Sequence, residues 1–178
     1  MIKTIGFSTL MFGLCLTAAE KHNTMDKGPK HVAKEVRHEL VMLPYYGVFD
    51  NLAFQTMPDG TVTLLGQVRL PTLRSEAENV TKSVAGVTKV VNQIEVLPTS
   101  PDDDRIRMAL YRAIYSSPGL DRYALQAVPS IHIIVKNGNA WLEGVADTEA
   151  DKNLAGIQAK SVSGVFSVAN NLRLEGRR

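Results

Sequence analysis

The chain is poor in cysteine and has little excess charge of either sign, and both shortages limit its chemistry. Cys15 is the single cysteine among 178 residues. If an N-terminal segment containing it is removed, the chain has neither a disulfide nor a thiol nucleophile. Twenty Lys and Arg stand against 18 Asp and Glu, and this balance argues against nucleic acid as the main partner. The hydrophobic content of 44% indicates a globular chain.

The first 19 residues have the pattern of a secretory signal peptide. Lys3 supplies positive charge, residues 5–16 form an apolar run, and Thr17-Ala18-Ala19 offers small residues for cleavage. We therefore predict an exported, periplasmic protein cleaved near Ala19. The alternative is a retained membrane anchor, although the apolar run is short for a bilayer span. Leu14 precedes Cys15 where a lipoprotein signal has a small residue, so lipid anchoring at Cys15 is disfavoured.

The chain repeats itself after 78 positions. "DGTVTLLGQV" (59–68) matches "NGNAWLEGVA" (137–146), and "GVTKVVNQIEV" (86–96) matches "GVFSVANNLRL" (164–174). Two glycines, an asparagine and an alternation of apolar residues keep the same spacing over about forty residues. We interpret this as an internal duplication.

The duplication predicts five segments. They are a signal peptide (1–19), a flexible leader (20–29), a first domain (30–97), a linker (98–102) and a second domain (103–175). Each domain is small enough for its own core to be marginal. We therefore expect an intramolecular contact between the two domains.

In each unit, the sequence pattern predicts the order helix, strand, strand, helix, strand. The first helix carries a stripe of apolar residues and is expected to end at Pro44. Gly60 and Gly138 can adopt the positive φ that tight hairpins require. The predicted fold class is α+β: two tandem αββαβ domains, each a three-stranded mixed sheet with two helices packed on one face. The spacing of 78 residues does not align the first strand of one unit with the first strand of the other. One extra turn residue near Met57-Pro58 would restore the register of this hairpin.

The repeated signature resembles the BON family of bacterial domains. The residues that carry the resemblance are Gly60, Gly66, Gly86, Val87, Val90, Asn92, Gly138, Gly144, Gly164, Val165, Val168 and Asn170. Ala140 departs from it, since the first copy has Val62 there. The resemblance implies αββαβ domains, secretion across the inner membrane, and a role in envelope integrity through association with phospholipid or membranes. It does not imply an enzyme.

The sequence offers no recognisable catalytic or metal-binding constellation, and we predict no cofactor. His31, Glu35 and His38 lie on neighbouring turns of the first helix, and a solvated helix surface explains them better than a metal site. The acids of 102–104 are favourable at a helix start. No P-loop, dinucleotide-binding motif or Ser/His/Asp motif is present. We predict that the repeated asparagines bond neighbouring backbone.

Two functions remain open. The protein is either a binding module for phospholipid surfaces or envelope complexes, or a structural or accessory interaction module without lipid affinity. Strand parity places Leu65, Trp141 and Val145 on the sheet face that the helices leave uncovered. This face either packs between the units or forms a contact surface with Trp141 as an interfacial anchor. Three residues of the second unit's longer loop extend that candidate surface: Leu120, Arg122 and Tyr123. Leu120 has core packing as its alternative.

Overall fold

The structure, a computed structural model, describes residues 29–176 and confirms the α+β fold with two similar units. The first unit consists of α1 (Pro29–Val41), β1 (Asn51–Thr56), β2 (Thr61–Val68), α2 (Pro71–Ser83), β3 (Lys89–Asn92) and β4 (Glu95–Val96). The second consists of α3 (Pro101–Tyr115), a 3-10 helix (Asp121–Leu125), β5 (Ile131–Lys136), β6 (Asn139–Ala146), α4 (Glu149–Lys160), β7 (Ser167–Asn170) and β8 (Arg173–Leu174).

Each unit has a mixed sheet whose last strand is interrupted. β1 runs antiparallel to β2, and β3 and β4 both run parallel to β2; the second unit repeats this with β5 to β8. The sequence predicted one continuous strand at this place. The break follows Asn92, whose side-chain oxygen accepts from the backbone N–H of Ile94 while its amide donates to the carbonyl of Arg74 on α2. Asn170 does the same with Leu172 and with Lys152 on α4.

The two hairpins differ by one turn residue, as the misaligned offset predicted. Met57 donates to the carbonyl of Thr61, which leaves three residues in the first turn. Lys136 pairs with Asn139, which leaves only Asn137 and Gly138 in the second. The extra residue brings Phe54 opposite Leu64, just as Ile133 lies opposite Leu142.

Two hydrophobic cores lie between the helices and the sheets. The first comprises the α1 stripe and the inward residues of its sheet and of α2: Val32, Val36, Leu40, Leu43, Val62, Leu64, Val68, Leu73, Ala77, Val84 and Ile94. The second has the equivalent residues of α3, α4 and β5 to β8, with Val48 and Phe49 of the first unit packed against it. The two cores are therefore joined at the loop that follows α1.

This loop also covers part of the helix-free face of the second sheet. The carbonyl of Val48 accepts from Ile133 at 2.8 Å, and the Tyr46 ring stacks on His132 at 5.5 Å between centroids. On the helix-free face of β5, His132 is 8% and Ile134 2% exposed. At β5 this face is therefore packed between the units, which is one of the two alternatives that the sequence left open.

Further contacts join the units beside this loop. Arg69 forms an ion pair with Asp104 at 3.4 Å, and Lys136 forms one with Glu95. The helix α3 begins at Pro101, inside the predicted linker, because Ser100 caps it by accepting from the N–H of Asp103. The connection between the units is therefore shorter than the sequence suggested.

Candidate functional site

One face of α1 is basic and fully solvated. Its exposed positions are Lys30, Lys34, Arg37, His38 and Val41. At 100° per residue they share an arc of about 100°, opposite the buried stripe. The two glutamates of the helix, Glu35 and Glu39, are half-buried and lie outside this arc. We call these five residues the basic face.

The basic face ends in exposed apolar side chains. Val41 is 47%, Met42 68% and Tyr45 79% exposed. Tyr45 has φ +67, a conformation uncommon outside glycine. Its neighbour Tyr46 is half-buried and stacks on His132, so the loop exposes one tyrosine and uses the next for packing. This exposed basic and apolar surface was not predicted from the sequence, although a helical projection of residues 30–41 reveals it.

The equivalent helix of the second unit lacks such a face. The exposed positions of α3 include Asp102, Arg105, Met108 and Arg112, and Arg105 is paired with Asp102 at 3.0 Å. The exposed positions of α3 therefore carry charge of both signs. Of the two equivalent helices, α1 is the one that concentrates basic residues next to several exposed apolar residues.

A groove of about 500 Å³ lies between the two units. One wall is formed by α1 and β1, and the other by residues 126–130 together with the helix-free face of β5 and β6. Apolar lining comes from both sides, including Leu40, Phe54, Val128 and Val145. A cleft of this size, with both apolar and polar lining, is typical of ligand sites.

The charged side chains of the groove are mainly positive. Arg37 and Arg173 line it together with Glu143. Glu143 accepts a hydrogen bond from the Asn171 amide at 2.6 Å. Arg37 lies over the Phe54 ring at 5.7 Å from its centroid, and neither arginine forms an ion pair within residues 29–176.

The candidate contact residues from the sequence separate in space. Leu65 and Trp141 are half-buried on the helix-free faces of their sheets, and Val145 lines the groove. Leu120 is 0% and Tyr123 1% exposed, so the prediction of surface contact is wrong for both. Both are part of the second core, and for Leu120 the alternative reading was the right one.

Arg122 is exposed but already engaged. It bonds the carboxylates of Asp147 and Asp151, at 3.2 and 2.5 Å. The Tyr123 hydroxyl donates to Asp151 and accepts from the N–H of Asp147. Burial opposes the charge of Asp151, but hydrogen bonds from Thr148 and Tyr123 and the charge of Arg122 outweigh it and lower the pKa of this carboxyl. This cluster fixes the loop to the start of α4.

Acid–base groups outside this cluster serve the contact between the units. Burial lowers the pKa of His132, although its hydrogen bond with the Gly47 carbonyl favours the charged form. Burial also raises the pKa of Tyr46 to about 12. Asp50 accepts from the N–H groups of Gly47 and Arg69 and holds the loop in place, while burial raises its pKa. Within the described part of the chain, no three His, Cys, Asp or Glu side chains are grouped as a metal site would require.

The glycines of the repeated signature occupy positions that other residues would disturb. Gly66 and Gly144 have φ +112 and +106, and a Cβ there would lie 2.0 Å from the Asn51 carbonyl oxygen or 2.1 Å from that of Ser130. Gly86 and Gly164 follow α2 and α4 with φ +97 and +90. These positions shape the backbone; of these four glycines, Gly144 also lines the groove.

The predicted signal peptide, its cleavage site, Cys15 and the leader lie outside the described residues, apart from Pro29. None of the helices between residues 29 and 176 has the length and apolar character needed to cross a membrane.

The chain is similar to several known bacterial proteins. Osmotically-inducible protein Y of Escherichia coli (strain K12) is 34% identical over 114 residues, which is 63% of this chain and 56% of that protein. The match thus spans little more than half the length of this relative. Two solved structures, both of CdsD, a structural protein of the type III secretion system of Chlamydia trachomatis, align with TM-scores of 0.31 and 0.30. They are 15% and 14% identical, and the alignments cover 80% and 79% of this chain and 91% and 96% of theirs. The BON domain profile matches residues 31–98 and 102–176, and the chain therefore belongs to the BON domain family, with two such domains in tandem.

Proposed function

We propose that this protein is a non-enzymatic, exported envelope protein that binds phospholipid surfaces and supports the envelope under osmotic stress. The basic face of α1, with its exposed apolar end, carries the proposal. Lysine and arginine attract anionic headgroups, and Met42 and Tyr45 provide apolar and aromatic contacts at headgroup depth. The name of the Escherichia coli relative supports the link to osmotic stress, and the sequence of residues 1–19 supports export.

Flotation of the purified protein with lipid vesicles tests the membrane proposal. We expect binding to vesicles containing phosphatidylglycerol, weaker binding to phosphatidylcholine alone, and reduced but still measurable binding at high salt. The double change Lys30→Glu and Lys34→Glu should weaken binding about tenfold or more, because each basic residue near an anionic surface contributes about 1 kcal/mol. The control Lys89→Glu with Lys160→Glu alters net charge equally at exposed sites elsewhere.

A second pair of variants separates the apolar contribution from the charge. Met42→Ser with Tyr45→Ser should weaken flotation at high and low salt alike, whereas the lysine variants should act mainly at low salt. Equal flotation of the α1 variants and the control would refute the basic face as the contact. N-terminal mass spectrometry of envelope fractions tests export, since an intact Met1 in the cytoplasm contradicts it.

The second candidate function is that of an accessory protein-interaction module without lipid affinity. The groove between the units favours it, because its apolar walls and its two arginines, which form no ion pair within residues 29–176, are also suited to a protein segment. Absence of flotation with any vesicle, combined with capture of an envelope protein, would support this function over the first.

A further inference from the structure

The free edge of β5 is closed by two side chains of α3 and by the loop that follows α1. Hydrogen-bonded pairs alternate along an antiparallel ladder. The bond from Val145 to the Ser130 carbonyl therefore turns the backbone groups of Ile131, Ile133 and Val135 away from β6. All three are engaged: the Tyr115 hydroxyl donates to the carbonyl of Ile131, Ile133 donates to Val48, and an Arg107 guanidinium nitrogen donates to the carbonyl of Val135. Edges closed in this way do not recruit further strands.

The equivalent edge of β1 can be identified by the same argument. The bond from Met57 to Thr61 marks a hydrogen-bonded pair, so Gln55 and Ala53 also bond to β2. The backbone groups of Leu52, Phe54 and Thr56 therefore point to the free edge. These three residues correspond to Ile131, Ile133 and Val135 of the second unit.

The β1 edge is open along most of its length. Among residues 29–176, no group bonds the outward N–H or C=O of Phe54 or Thr56. Open edges are usually blocked, and the second unit blocks its own with Tyr115 and Arg107, so the contrast within one chain indicates a binding edge.

The groove between the units reaches this edge at residues 51–54, which form part of its wall, while residues 126–130 also line it. Of the two open positions, Phe54 lines the groove and Thr56 lies beyond it on the same strand. An extended chain that leaves the groove along β1 therefore meets both positions.

The charge of the groove defines the occupant further. Arg37 and Arg173 have no carboxylate partner among the described residues, whereas Glu143 is bonded to Asn171. We propose that the groove binds an extended peptide segment that adds to the edge of β1 as a strand and places a carboxylate against Arg173 and Arg37. Main-chain bonds to Phe54 and Thr56 supply affinity, and the arginines select the carboxylate. The site shares Arg37 with the basic face, but the edge of β1 and Arg173 carry it, so the inference does not rest on the membrane proposal.

The test uses the purified protein and two fluorescein-labelled hexapeptides. Both alternate threonine and valine; one ends in aspartate with a free carboxylate, and the other ends in asparagine amide. Fluorescence anisotropy should show tighter binding of the acidic peptide. Arg173→Gln should weaken its binding about tenfold, the effect of losing a charge-assisted hydrogen bond. The control Arg112→Gln, an exposed arginine of α3 outside the groove, should leave binding unchanged.

A negative charge introduced beside the edge of β1 gives an independent test. Ala53 is exposed and lines the groove. Ala53→Glu should therefore weaken binding of the acidic peptide about tenfold more than Ala53→Gln, which adds a side chain of the same size without the charge. Amide hydrogen exchange followed by NMR should show new protection at Phe54 and Thr56 when peptide binds. Ala53 and Gln55 already bond to β2 and should not change.

Five results would overturn the inference. The first two are no binding of the acidic peptide at millimolar concentration, and binding that Arg173→Gln and Ala53→Glu both leave intact. The next two are peptide-induced exchange protection that does not alternate along β1, and slow exchange of Phe54 and Thr56 in the free protein. The last would show that another segment of the chain already occupies the edge. Vesicle binding that requires Arg173 in the absence of peptide binding would also overturn it, since the groove would then hold a lipid headgroup.

Discussion

Replacing Gly144 by alanine tests whether the repeated glycine of the second strand is required by the backbone. Gly144 has φ +106, and a Cβ built there lies 2.1 Å from the carbonyl oxygen of Ser130. That oxygen already accepts from Val145 at 2.9 Å. The strands must therefore separate by about 1 Å to restore a normal contact, and this movement breaks the first bond of the β5–β6 ladder.

Two costs add at this position, and the chain offers a control for each. An unfavourable φ costs about 1–3 kcal/mol, and overpacking costs about 1–3 kcal/mol more. Gly119 has φ +93 with nothing within 4 Å of its added Cβ, and Gly47 has neither a positive φ nor a close neighbour. We expect Gly144→Ala to lower the free energy of unfolding by about 4 kcal/mol, Gly119→Ala by about 1–2 kcal/mol, and Gly47→Ala by less than about 0.5 kcal/mol.

Urea unfolding followed by tryptophan fluorescence is the appropriate assay. Trp141 is the single tryptophan and lies on the same strand as Gly144, so its emission reports on the second unit. Circular dichroism checks the first unit, where Gly66→Ala should behave in the same way because its added Cβ meets the Asn51 carbonyl at 2.0 Å. If Gly144→Ala unfolds within about 0.5 kcal/mol of Gly119→Ala, the close approach is not a constraint and our reasoning fails.

Trp141→Ala should lower the free energy of unfolding by about 2 kcal/mol and leave flotation unchanged, since Trp141 is half-buried opposite Ile134. Loss of flotation at unchanged stability would instead identify Trp141 as a membrane contact. Stability measured by urea should fall as the pH drops below about 6.5, the ordinary pKa of histidine, because burial lowers the pKa of His132 in the folded protein and the unfolded chain takes up its proton first. The variant His132→Gln should lose this component of the pH dependence, and persistence of the full slope would contradict the assignment. Asp103→Asn should lower the free energy of unfolding by about 2 kcal/mol in the same assay. The reason is that Asp103 is 2% exposed and its carboxylate accepts from two backbone N–H groups of the second hairpin at 2.8 and 2.9 Å. An equal loss in Asp102→Asn, at an exposed position, would disprove this reason.

The sequence determined the local structure and the duplication. Periodicity of 3.6 or 2 places residues such as Val36 or Leu64 in a core without reference to distant parts of the chain, and both are 0% exposed. Glycines at fixed spacing located the hairpins and helix ends, because only glycine tolerates those backbone angles readily. Even the extra residue of the first turn was visible as a misaligned repeat. The basic face was equally accessible, since it depends only on helical spacing.

Contacts between distant segments were decided only by the tertiary structure. Strand parity placed Ile134 and Trp141 on the same face but gave no sign that the first unit covers β5. Leu120 and Tyr123 follow no regular spacing, so nothing in their pattern distinguished a buried loop from an exposed one. The open edge of β1 appears only when all backbone bonds are assigned. Local patterns follow from steric and hydrophobic rules within a few residues, whereas the groove depends on how two folded units pack against each other.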